Sequence, residues 1–233
     1  MSATALSLSL FLPAYNEAPL IESTVRKAVA VLEATCDTFE VIVVDDGSTD
    51  GTGVIADRLA AADRRVRVIH HAGNQGYGKA LRTGFAAGAM DVVAYTDVDE
   101  PADLWLLRDA VQHLATHDLV IGYRLQRYST LHRRLFTWSY NRLVRLLFGV
   151  KVRDINFSFK LIRRDALQAI RLSANSVFID GELLVEAQRL GLRMCEVPVD
   201  DLQRTAGTSN FNGLRPALET LREIARYRAR PRG

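Results

Sequence analysis

The sequence predicts an α/β fold: a mainly parallel central sheet flanked by helices in three layers. Three observations predict it. Short runs rich in β-branched residues alternate with longer segments of helical periodicity. Polar clusters follow four of these runs where the predicted strand ends, and open α/β sheets bind ligands at that edge. The chain has 233 residues, 48% of them hydrophobic, which is enough for one sizeable core.

The first elements are bounded by residues that end strands or begin helices. An apolar run over Leu6–Leu12 is ended by Pro13. Helical spacing then predicts a helix over about Glu17–Ala34. The second strand, Glu40–Val44, is almost continuously apolar, as expected of a strand buried on both faces. The residues after it, 45–51, are Asp, Gly, Ser and Thr, which form turns and cap helices.

The later elements follow the same alternation. The third strand, Val66–His70, leads through a glycine-containing turn into a helix that runs to about Ala89. Asp91–Thr96 follows as a buried strand, and Pro101 stands where it would open the next helix. Two further strands and two further helices complete the prediction. The strands are Asp118–Gly122 and Met194–Val199, and the helices cover 131–148 and 213–233.

Asp97 and Asp99 directly follow the fourth predicted strand. Residues two apart in a strand lie on the same side, so both carboxylates can face one divalent cation. Mg²⁺ and Mn²⁺ accept such oxygen ligands together with the phosphate oxygens of a substrate. An isolated Asp-x-Asp more often lies in a solvated surface turn. Here the buried strand that precedes the two residues favours a metal site.

Four motifs lie at the predicted strand ends: Leu12–Glu17 (LPAYNE), Val43–Asp50 (VVDDGSTD), Asn74–Ala80 (NQGYGKA) and Asp97–Asp99 (DVD). Together they resemble the nucleotide-diphospho-sugar transferases of glycosyltransferase family 2, which have the GT-A fold, a Rossmann-like three-layer architecture. The resemblance implies a metal-dependent hexosyltransferase that uses Mg²⁺ or Mn²⁺. Asp97 would face the nucleotide-sugar and Asp99 the metal, and both are expected metal ligands and catalytic residues.

The same resemblance implies a nucleotide pocket, with a carboxylate near Asp46 binding the base or the ribose. The residues expected to line it are Pro13, Ala14, Tyr15, Glu17, Asp45, Asp46, Gly76, Lys79, Asp97 and Val98.

A second set of motifs covers Asp154–Lys160, Phe178–Leu183, Glu196–Val199 and Arg204–Ser209. These segments resemble the acceptor side of the dolichol-phosphate mannosyltransferase and polyprenyl-phosphate glycosyltransferase branch. The branch implies a GDP- or UDP-linked sugar as donor and a polyprenyl phosphate as acceptor. Lipid phosphate is an anion, so basic residues would hold it. The expected catalytic residues on this side are Arg124, Lys160 and Arg204.

With the resemblance, the chain divides into a nucleotide-sugar-binding half, 1–122, and an acceptor-side half, 123–212, within one catalytic domain, 1–233. A basic amphipathic helix, 213–233, follows. Two positions depart from the family's pattern: Phe157 and Ser158 stand where Ser-Gly is common, and Pro101 stands where some members have a further metal-side residue.

The predicted helix over 131–148 has two interpretations. Its apolar face consists of Phe136, Tyr140, Leu143, Val144 and Leu147, while Arg134, Arg142 and Arg145 lie opposite with Trp138 among them. Such a helix suits an anionic membrane interface, with the aliphatic face entering the acyl boundary. An amphipathic helix that packs on the sheet has the same pattern.

Charge and composition limit the kinds of partner but do not identify one. The net charge is +3, and basic residues concentrate at 124–153 and 222–232. A phosphate-bearing ligand, an anionic membrane, nucleic acid or a solvated face would each explain them. No window has the roughly 18 apolar residues that a spanning helix needs, and the first residues do not resemble a signal peptide. Cys36 and Cys195 match no metal or redox spacing, which favours a reducing compartment. We therefore expect a cytoplasmic protein, peripheral at the cytoplasmic face of the membrane, with a membrane protein as one candidate partner.

The mechanism we expect is a single displacement with inversion at the sugar, because no hydroxyl or thiol has a setting typical of covalent catalysis. Alternatives are a soluble family 2 transferase with a glycan, protein or small-molecule acceptor, and a non-catalytic nucleotide-sugar-binding module. Nucleic-acid binding would leave Asp97 and Asp99 unexplained. Nicotinamide chemistry is disfavoured, because Leu81 replaces the third glycine of a fingerprint that Gly76 and Gly78 match only in part.

Overall fold

Seven strands form one sheet in the computed structural model, which describes residues 6–99, 103–125, 131–199 and 214–230. The sheet order is β3-β2-β1-β4-β6-β5-β7. β6 is antiparallel to both of its neighbours, and the other paired strands are parallel. The strands are β1 (Ser7–Ala14), β2 (Thr38–Asp45), β3 (Val66–His70), β4 (Val92–Thr96), β5 (Leu119–Arg124), β6 (Phe159–Arg163) and β7 (Met194–Val199).

Helices cover both faces of the sheet, which gives the three layers that the sequence predicts. One buried cluster joins the sheet to α1, α2 and α4, and the other joins it to α3, α5, α6, α7 and α8. A 3₁₀ turn at Leu104–Leu106 precedes α4. The helices are α1 (Ala18–Thr35), α2 (Thr52–Ala62), α3 (Tyr77–Ala87), α4 (Leu107–His113), α5 (Leu131–Phe148), α6 (Arg164–Ala169), α7 (Phe178–Arg189) and α8 (Leu214–Arg228).

The apolar runs of the sequence are explained by burial on both faces. Successive side chains of a strand point to opposite sides. β1 therefore places Leu8, Leu10 and Leu12 in one core cluster and Phe11 in the other. Each such side chain contributes about 1.5–3 kcal/mol when fully buried, so the central strands hold the two layers of helices on the sheet.

All six predicted strands are confirmed, with ends that differ by at most two residues. β6 was not predicted, although its first two residues, Phe159 and Lys160, end the motif Asp154–Lys160. It inserts between β4 and β5, so residues from both halves of the chain belong to one sheet. Pro101 lies outside the described residues, and the first helical turn described after it begins at Leu104.

Of the two interpretations of the helix over 131–148, packing of its apolar face on the sheet is confirmed for the side chains that the structure describes. Tyr140 and Val144 are buried in the core, and Leu143 and Leu147 pack against it. Burial on the sheet removes this face from solvent without a membrane. Phe136 and Arg134 belong to the part of α5 whose side chains are not described. The outward face of α5 carries Trp138, Arg142 and Arg145, as predicted, together with Leu146.

α8 packs against the same cluster as α5 and α7. Its Tyr227 ring lies 5.5 Å from the rings of Phe148 and Phe178. Within the described helices, none is both long and apolar enough to cross a bilayer. Both cysteines are free thiols, and burial raises the pKa of Cys36 to about 11.

Candidate active site

The carboxyl ends of several strands meet at one edge of the sheet. β1 to β4 are parallel, so the segments that follow them lie side by side there. β5 points in the same direction as β4, because both are antiparallel to β6. Arg124, at the end of β5, therefore lies at the same edge as Asp97. This is the ligand-binding edge of an open α/β sheet.

Hydrogen bonds join the loops after β1 and β2. The backbone N–H of Asn16 donates to Ser48 Oγ at 3.0 Å, and Asn16 Oδ1 accepts from the N–H of Thr49 at 2.8 Å. Glu17 is buried at the start of α1, and its N–H donates to Thr52 Oγ1 at 2.8 Å. The bond from Glu17 satisfies an N–H group at the start of α1 that has no partner within the helix. They fix the start of α1 against the start of α2.

Asp46 fastens the loop after β3 to the end of β2. Its Oδ1 lies 2.6 Å from His71 Nδ1 and accepts from the N–H of Gln75 at 2.9 Å. Its Oδ2 accepts from the N–H of Gly76 at 2.9 Å. The other ring nitrogen of His71 lies 3.0 Å from Thr83 Oγ1 on α3. A buried carboxylate with this many donors orders the turn that begins α3.

Asp45 makes the equivalent contacts one residue earlier. Its Oδ1 accepts from the N–H of Ser48 at 3.0 Å, and its Oδ2 lies 2.9 Å from His70 Nδ1. His70 Nε2 lies 3.0 Å from Asp57 Oδ1. The neighbouring Asp57 carboxylate, and then that of Asp45, raises the pKa of His70. These aspartate–histidine contacts were not predicted from the sequence. The signal was present, because the parallel neighbours β2 and β3 end in Asp-Asp and His-His.

Gly47 permits the second and third loops to approach closely. Its φ of +74° lies in the left-handed region that favours glycine. A Cβ at this position would stand 2.5 Å from the Gly73 backbone. The glycine in the Asp-Asp-Gly motif is therefore required by both the turn and the contact.

Most of the predicted pocket residues lie at this edge, with different exposure. Pro13 and Tyr15 are half-buried at the end of β1, while Asp45 and Asp46 are buried and bound by protein groups. A nucleotide contact by the two aspartates stays a prediction. Ala14 and Val98 are the exceptions, because both side chains pack in the core cluster that contains α1. Their side chains therefore do not line the pocket, and a contact through their backbone atoms stays a prediction.

Asp97 and Asp99 lie half-buried at the end of β4, on either side of the buried Val98. Tyr77, the first residue of α3, donates its hydroxyl hydrogen to Asp97 Oδ1 at 3.2 Å. Among the described residues, no three His, Cys, Asp or Glu side chains cluster closely enough to hold a metal ion. Two carboxylates fit a Mg²⁺-type ion, which is commonly bound by one or two carboxylates together with water and substrate phosphates.

Arg124 is held in place by two neighbours. Its guanidinium lies 3.5 Å from the buried Asp154 carboxylate and stacks 4.7 Å above the Phe157 ring. Phe157 is one of the departures from the family pattern, and Gly122 compensates for it. A Cβ on Gly122 would stand 2.9 Å from the Phe157 ring. The absent side chain in β5 thus makes room for the aromatic ring beneath Arg124.

Lys160 does not face a phosphate site, so its expected role is corrected. The residue is buried on β6. Its ammonium donates to Asp180 Oδ1 at 2.6 Å, to the Phe157 carbonyl at 2.7 Å and to the Tyr95 hydroxyl at 3.0 Å. An ammonium has three hydrogens, and these bonds use all of them. Asp180, which sequence reasoning did not single out, is its ion-pair partner.

Gly76 and Lys79, both predicted to line the nucleotide pocket, have different surroundings. Gly76 directly precedes α3 with a φ of +92°, and its N–H donates to Asp46 Oδ2. Lys79 lies half-buried on the first turn of α3, where it lines a cleft of about 700 Å³ with Arg82 and Arg164. This cleft lies between α3 and α6. Arg204 lies outside the described residues.

Comparison with known proteins agrees with the fold and with the motifs. Residues 9–171 match the profile of glycosyl transferase family 2. A glycosyltransferase AglD from Haloferax volcanii is 41% identical over 85% of this chain, which spans 34% of that protein's length. A polyprenol monophosphomannose synthase from Mycolicibacterium smegmatis is 35% identical, covering 88% of this chain and 80% of the synthase.

Two further matches are a sequence relative and a solved structure. An undecaprenyl-phosphate mannosyltransferase from Micrococcus luteus is 34% identical, covering 87% of this chain and 86% of that protein. A glucosyl-3-phosphoglycerate synthase from Mycobacterium tuberculosis, solved with Mn²⁺, UDP and phosphoglyceric acid, superposes with a TM-score of 0.76. It is 22% identical and covers 97% of this chain and 80% of the synthase, so it bears on the fold alone. The expected GT-A architecture is confirmed. By its profile match, its relatives and its fold, the chain belongs to glycosyl transferase family 2.

Proposed function

We propose that the chain transfers a sugar from a nucleotide diphosphate donor to a polyprenyl phosphate, with inversion at the sugar. One observation carries the proposal: a single sheet edge presents the Asp97 and Asp99 carboxylates and the guanidinium of Arg124. The carboxylates suit a divalent ion with a diphosphate, and the guanidinium suits an anionic acceptor. The relatives in Mycolicibacterium and Micrococcus, named for transfer to polyprenol or undecaprenyl phosphate, support this choice of acceptor.

The donor side is preorganised by the loops after β1, β2 and β3. Asp45 and Asp46 hold the loops after β2 and β3, and Asn16 bonds the loop after β1 to the loop after β2. The half-buried Pro13 and Tyr15 would face the nucleotide from these fixed loops. Asp97 and Asp99 would hold Mg²⁺ or Mn²⁺ beside the diphosphate of a GDP- or UDP-linked sugar. A divalent ion in that position neutralises the charge that develops on the leaving diphosphate.

On the acceptor side, Arg124 would bind the lipid phosphate. Asp154 and the Phe157 ring restrict the guanidinium to one orientation. An oxygen of the lipid phosphate then attacks the anomeric carbon, and the bond from that carbon to the diphosphate breaks. A phosphate oxygen is already anionic, so the step requires no strong general base. Positioning and charge stabilisation provide the rate enhancement.

A lipid acceptor implies that the enzyme works at a membrane surface. We place it as a peripheral protein at the cytoplasmic face, where nucleotide-sugars are available. The outward side of α5 presents Trp138, 58% exposed, with Arg142 stacked on it and Leu146 nearby on the same helix. Leu218 and Leu221 are exposed on α8, whose last turn is basic. Apolar, aromatic and basic groups of this kind suit an anionic interface, and a membrane protein remains a candidate partner.

Transfer of radiolabelled sugar to polyprenyl phosphate tests the proposal. The protein is incubated with GDP- and UDP-linked hexoses, with Mn²⁺ or with chelator, and the products are partitioned between organic and aqueous phases. The proposal expects organic-phase label that chelator abolishes. Label that remains in the aqueous phase, on a glycan, protein or small molecule, would support a soluble family 2 transferase instead. Donor binding without any product would indicate a non-catalytic nucleotide-sugar module.

A further inference from the structure

The cleft between α3 and α6 is lined by polar and basic side chains from both helices. On α3, Lys79, Arg82 and Thr83 lie three and four positions apart, so they share one face of the helix. On α6, Arg164 and Gln168 share a face for the same reason. The two faces together supply the charged and hydrogen-bonding groups of the cleft.

The floor of the cleft is part of the hydrophobic core. Phe85, Leu167 and Ile170 line it, are between 6% and 9% exposed, and belong to one buried cluster against which Leu172 also packs. The volume of about 700 Å³ is typical of cavities that bind small organic molecules. An inorganic ion would fill only a small part of this volume. The shape therefore suits a molecule with an apolar part.

The three basic side chains of the cleft have no carboxylate partner in the part of the chain that the structure describes. Arg82 Nη2 donates to the neutral amide oxygen of Asn175, and Arg82 Nε is shielded from water without an acceptor. Lys79 and Arg164 make no side-chain hydrogen bond or ion pair with any other described residue. None of the described residues that line the cleft is acidic. The cleft therefore concentrates positive charge that an anion can neutralise.

We propose that this cleft is a second ligand site, which binds an organic phosphate: a molecule that joins a phosphate group to an apolar or aromatic part. The planar guanidinium groups of Arg82 and Arg164 match phosphate oxygens, and the Lys79 ammonium adds a third positive charge. The core side chains of the floor contact the apolar part. The site is separate from the proposed active site, because the aspartates at the end of β4 and Arg124 do not line the cleft. Neither the site nor its ligand class depends on the proposed function.

Binding of 1-naphthyl phosphate to the full chain tests the proposal, because this probe joins a fluorescent aromatic ring to a phosphate group. Fluorescence anisotropy measures its dissociation constant. We expect saturable binding that weakens as salt is added, since the contacts are between opposite charges. Inorganic phosphate should compete only weakly, because it lacks the apolar part. If 1-naphthol binds as tightly as 1-naphthyl phosphate, the cleft does not recognise phosphate and the proposal is wrong.

Arg164→Gln is the decisive variant. It should weaken binding of 1-naphthyl phosphate about tenfold, the change typical of losing one hydrogen bond between charged groups. Arg164 is exposed and has no side-chain partner among the described residues, so the thermal midpoint should not change. Arg82→Gln should weaken binding to a similar extent. It also removes the bond to Asn175, so Arg164→Gln keeps the test decisive even if Arg82→Gln does not fold.

Arg163→Gln is the matched control. Arg163 is the preceding residue and is also exposed, but it pairs with Asp165 at 2.8 Å and does not line the cleft. The substitution removes the same charge and should leave the affinity for 1-naphthyl phosphate within about twofold of the wild type. Equal losses in Arg163→Gln and Arg164→Gln would show that only the net charge matters, which would overturn the proposal.

Competition separates the cleft from the proposed active site. UDP or GDP with Mn²⁺ should not displace 1-naphthyl phosphate, and Arg124→Gln should bind the probe as the wild type does. Displacement by a nucleotide, or loss of binding in Arg124→Gln, would assign the probe to the active site and contradict the proposal. These measurements need no sugar transfer, so a protein that transfers no sugar can still confirm the cleft.

Vesicle flotation distinguishes the two sources of such a ligand, a free organic phosphate and a lipid headgroup. Phosphatidylcholine vesicles with and without phosphatidic acid are compared for Arg164→Gln and Arg163→Gln. A loss of binding to phosphatidic acid that is confined to Arg164→Gln supports the site with a lipid headgroup as its ligand. Equal flotation, with 1-naphthyl phosphate binding lost only in Arg164→Gln, supports the site with a free organic phosphate. A wild-type protein that does not bind 1-naphthyl phosphate saturably would overturn the proposal.

Discussion

Two pairs of aspartates end strands on either side of β1, and their surroundings differ. Asp45 and Asp46 end β2, are 4% and 3% exposed, and accept hydrogen bonds from backbone N–H groups while each contacts a histidine. Asp97 and Asp99 end β4 and remain half-buried, with a tyrosine hydroxyl bound to Asp97.

The difference distinguishes carboxylates that hold the loops of a site in place from carboxylates that can bind its ligands. An oxygen surrounded by protein donors holds a loop, because exchanging those donors for a ligand would leave buried N–H groups unpaired. A half-buried carboxylate at a strand end can be reached by a cation from solvent. The first pair should therefore control stability, and the second should control catalysis.

Asp99→Ala should have the largest effect. If this carboxylate anchors the divalent ion, its loss should reduce kcat on the order of a thousandfold, because charge on the leaving diphosphate is no longer neutralised. The free energy of unfolding should change by less than about 1 kcal/mol, as expected for a half-exposed side chain. Transfer kinetics and urea unfolding measure the two quantities. A tenfold or smaller loss of kcat would contradict the role given to Asp99.

Asp46→Ala should mainly reduce stability, in contrast to Asp99→Ala, which should mainly reduce kcat. It leaves the N–H groups of Gln75 and Gly76 and the Nδ1 atom of His71 without their partner, which should cost about 3 kcal/mol of stability. Chemical unfolding measures the loss. Asp57→Ala is the control, because Asp57 is 61% exposed and should cost less than about 1 kcal/mol. Equal losses in the two variants would show that Asp46 is not a structural carboxylate.

Glu223→Gln should lower both the stability of the protein and its affinity for the donor, by intermediate amounts. Glu223 of α8 accepts from the N–H groups of Asn175 and Ser176 and from Ser176 Oγ, and the Asn175 carbonyl accepts from the N–H of Gly78 at 2.9 Å. The substitution should cost about 1–2 kcal/mol and weaken donor binding a few-fold, because the turn before α3 loosens. Calorimetry with nucleotide and Mn²⁺ measures the affinity.

Glu219→Gln is the control for that variant, since Glu219 is exposed one turn earlier on α8. It should change stability by less than about 0.5 kcal/mol. If both variants retain wild-type donor affinity, α8 has no influence on the donor site.

The smallest effect concerns His70. Its pKa is raised by Asp57 and then Asp45, so protonation favours the folded state. The contribution is fully present below the ordinary histidine pKa of about 6.5 and is lost as the pH rises through the raised value. His70→Asn should therefore lower stability more at pH 5.5 than at pH 9. The difference should be less than about 1 kcal/mol, because the side chain is 43% exposed and screened. A loss that does not change with pH would contradict the ion pair.

Much of the fold and of the donor edge could be predicted from the sequence. The strands that bury both faces gave long apolar runs, and their polar ends identified the edge where Asp97, Asp99 and Arg124 lie. β6 could not be predicted in this way, because Lys160 interrupts its apolar pattern and Asp180, which neutralises the charge, is twenty positions away. Pairing of distant charges is a property of the folded chain.

The direction of individual side chains was harder to predict. α5 was found at its predicted bounds, but periodicity cannot tell which medium covers an apolar face, and the core covers Tyr140 and Val144. The histidine contacts with Asp45 and Asp46 depend on the register of β2 and β3, which aligns Asp45 with His70. Register follows from the assembled sheet, so the two motifs could be found separately but not paired.

The most direct test measures Asp99→Asn and Asp46→Asn side by side, by thermal unfolding with Mn²⁺ and UDP or GDP titrated into each. Wild-type protein should be stabilised by about 2.7 kcal/mol at a hundred times the dissociation constant of the nucleotide. Asp99→Asn should unfold near the wild-type temperature without ligand and lose most of that stabilisation. Asp46→Asn should unfold at a lower temperature and retain a ligand-dependent shift. An Asp99→Asn variant that is stabilised as strongly as the wild type would contradict the assignment of the metal-bound diphosphate to the end of β4.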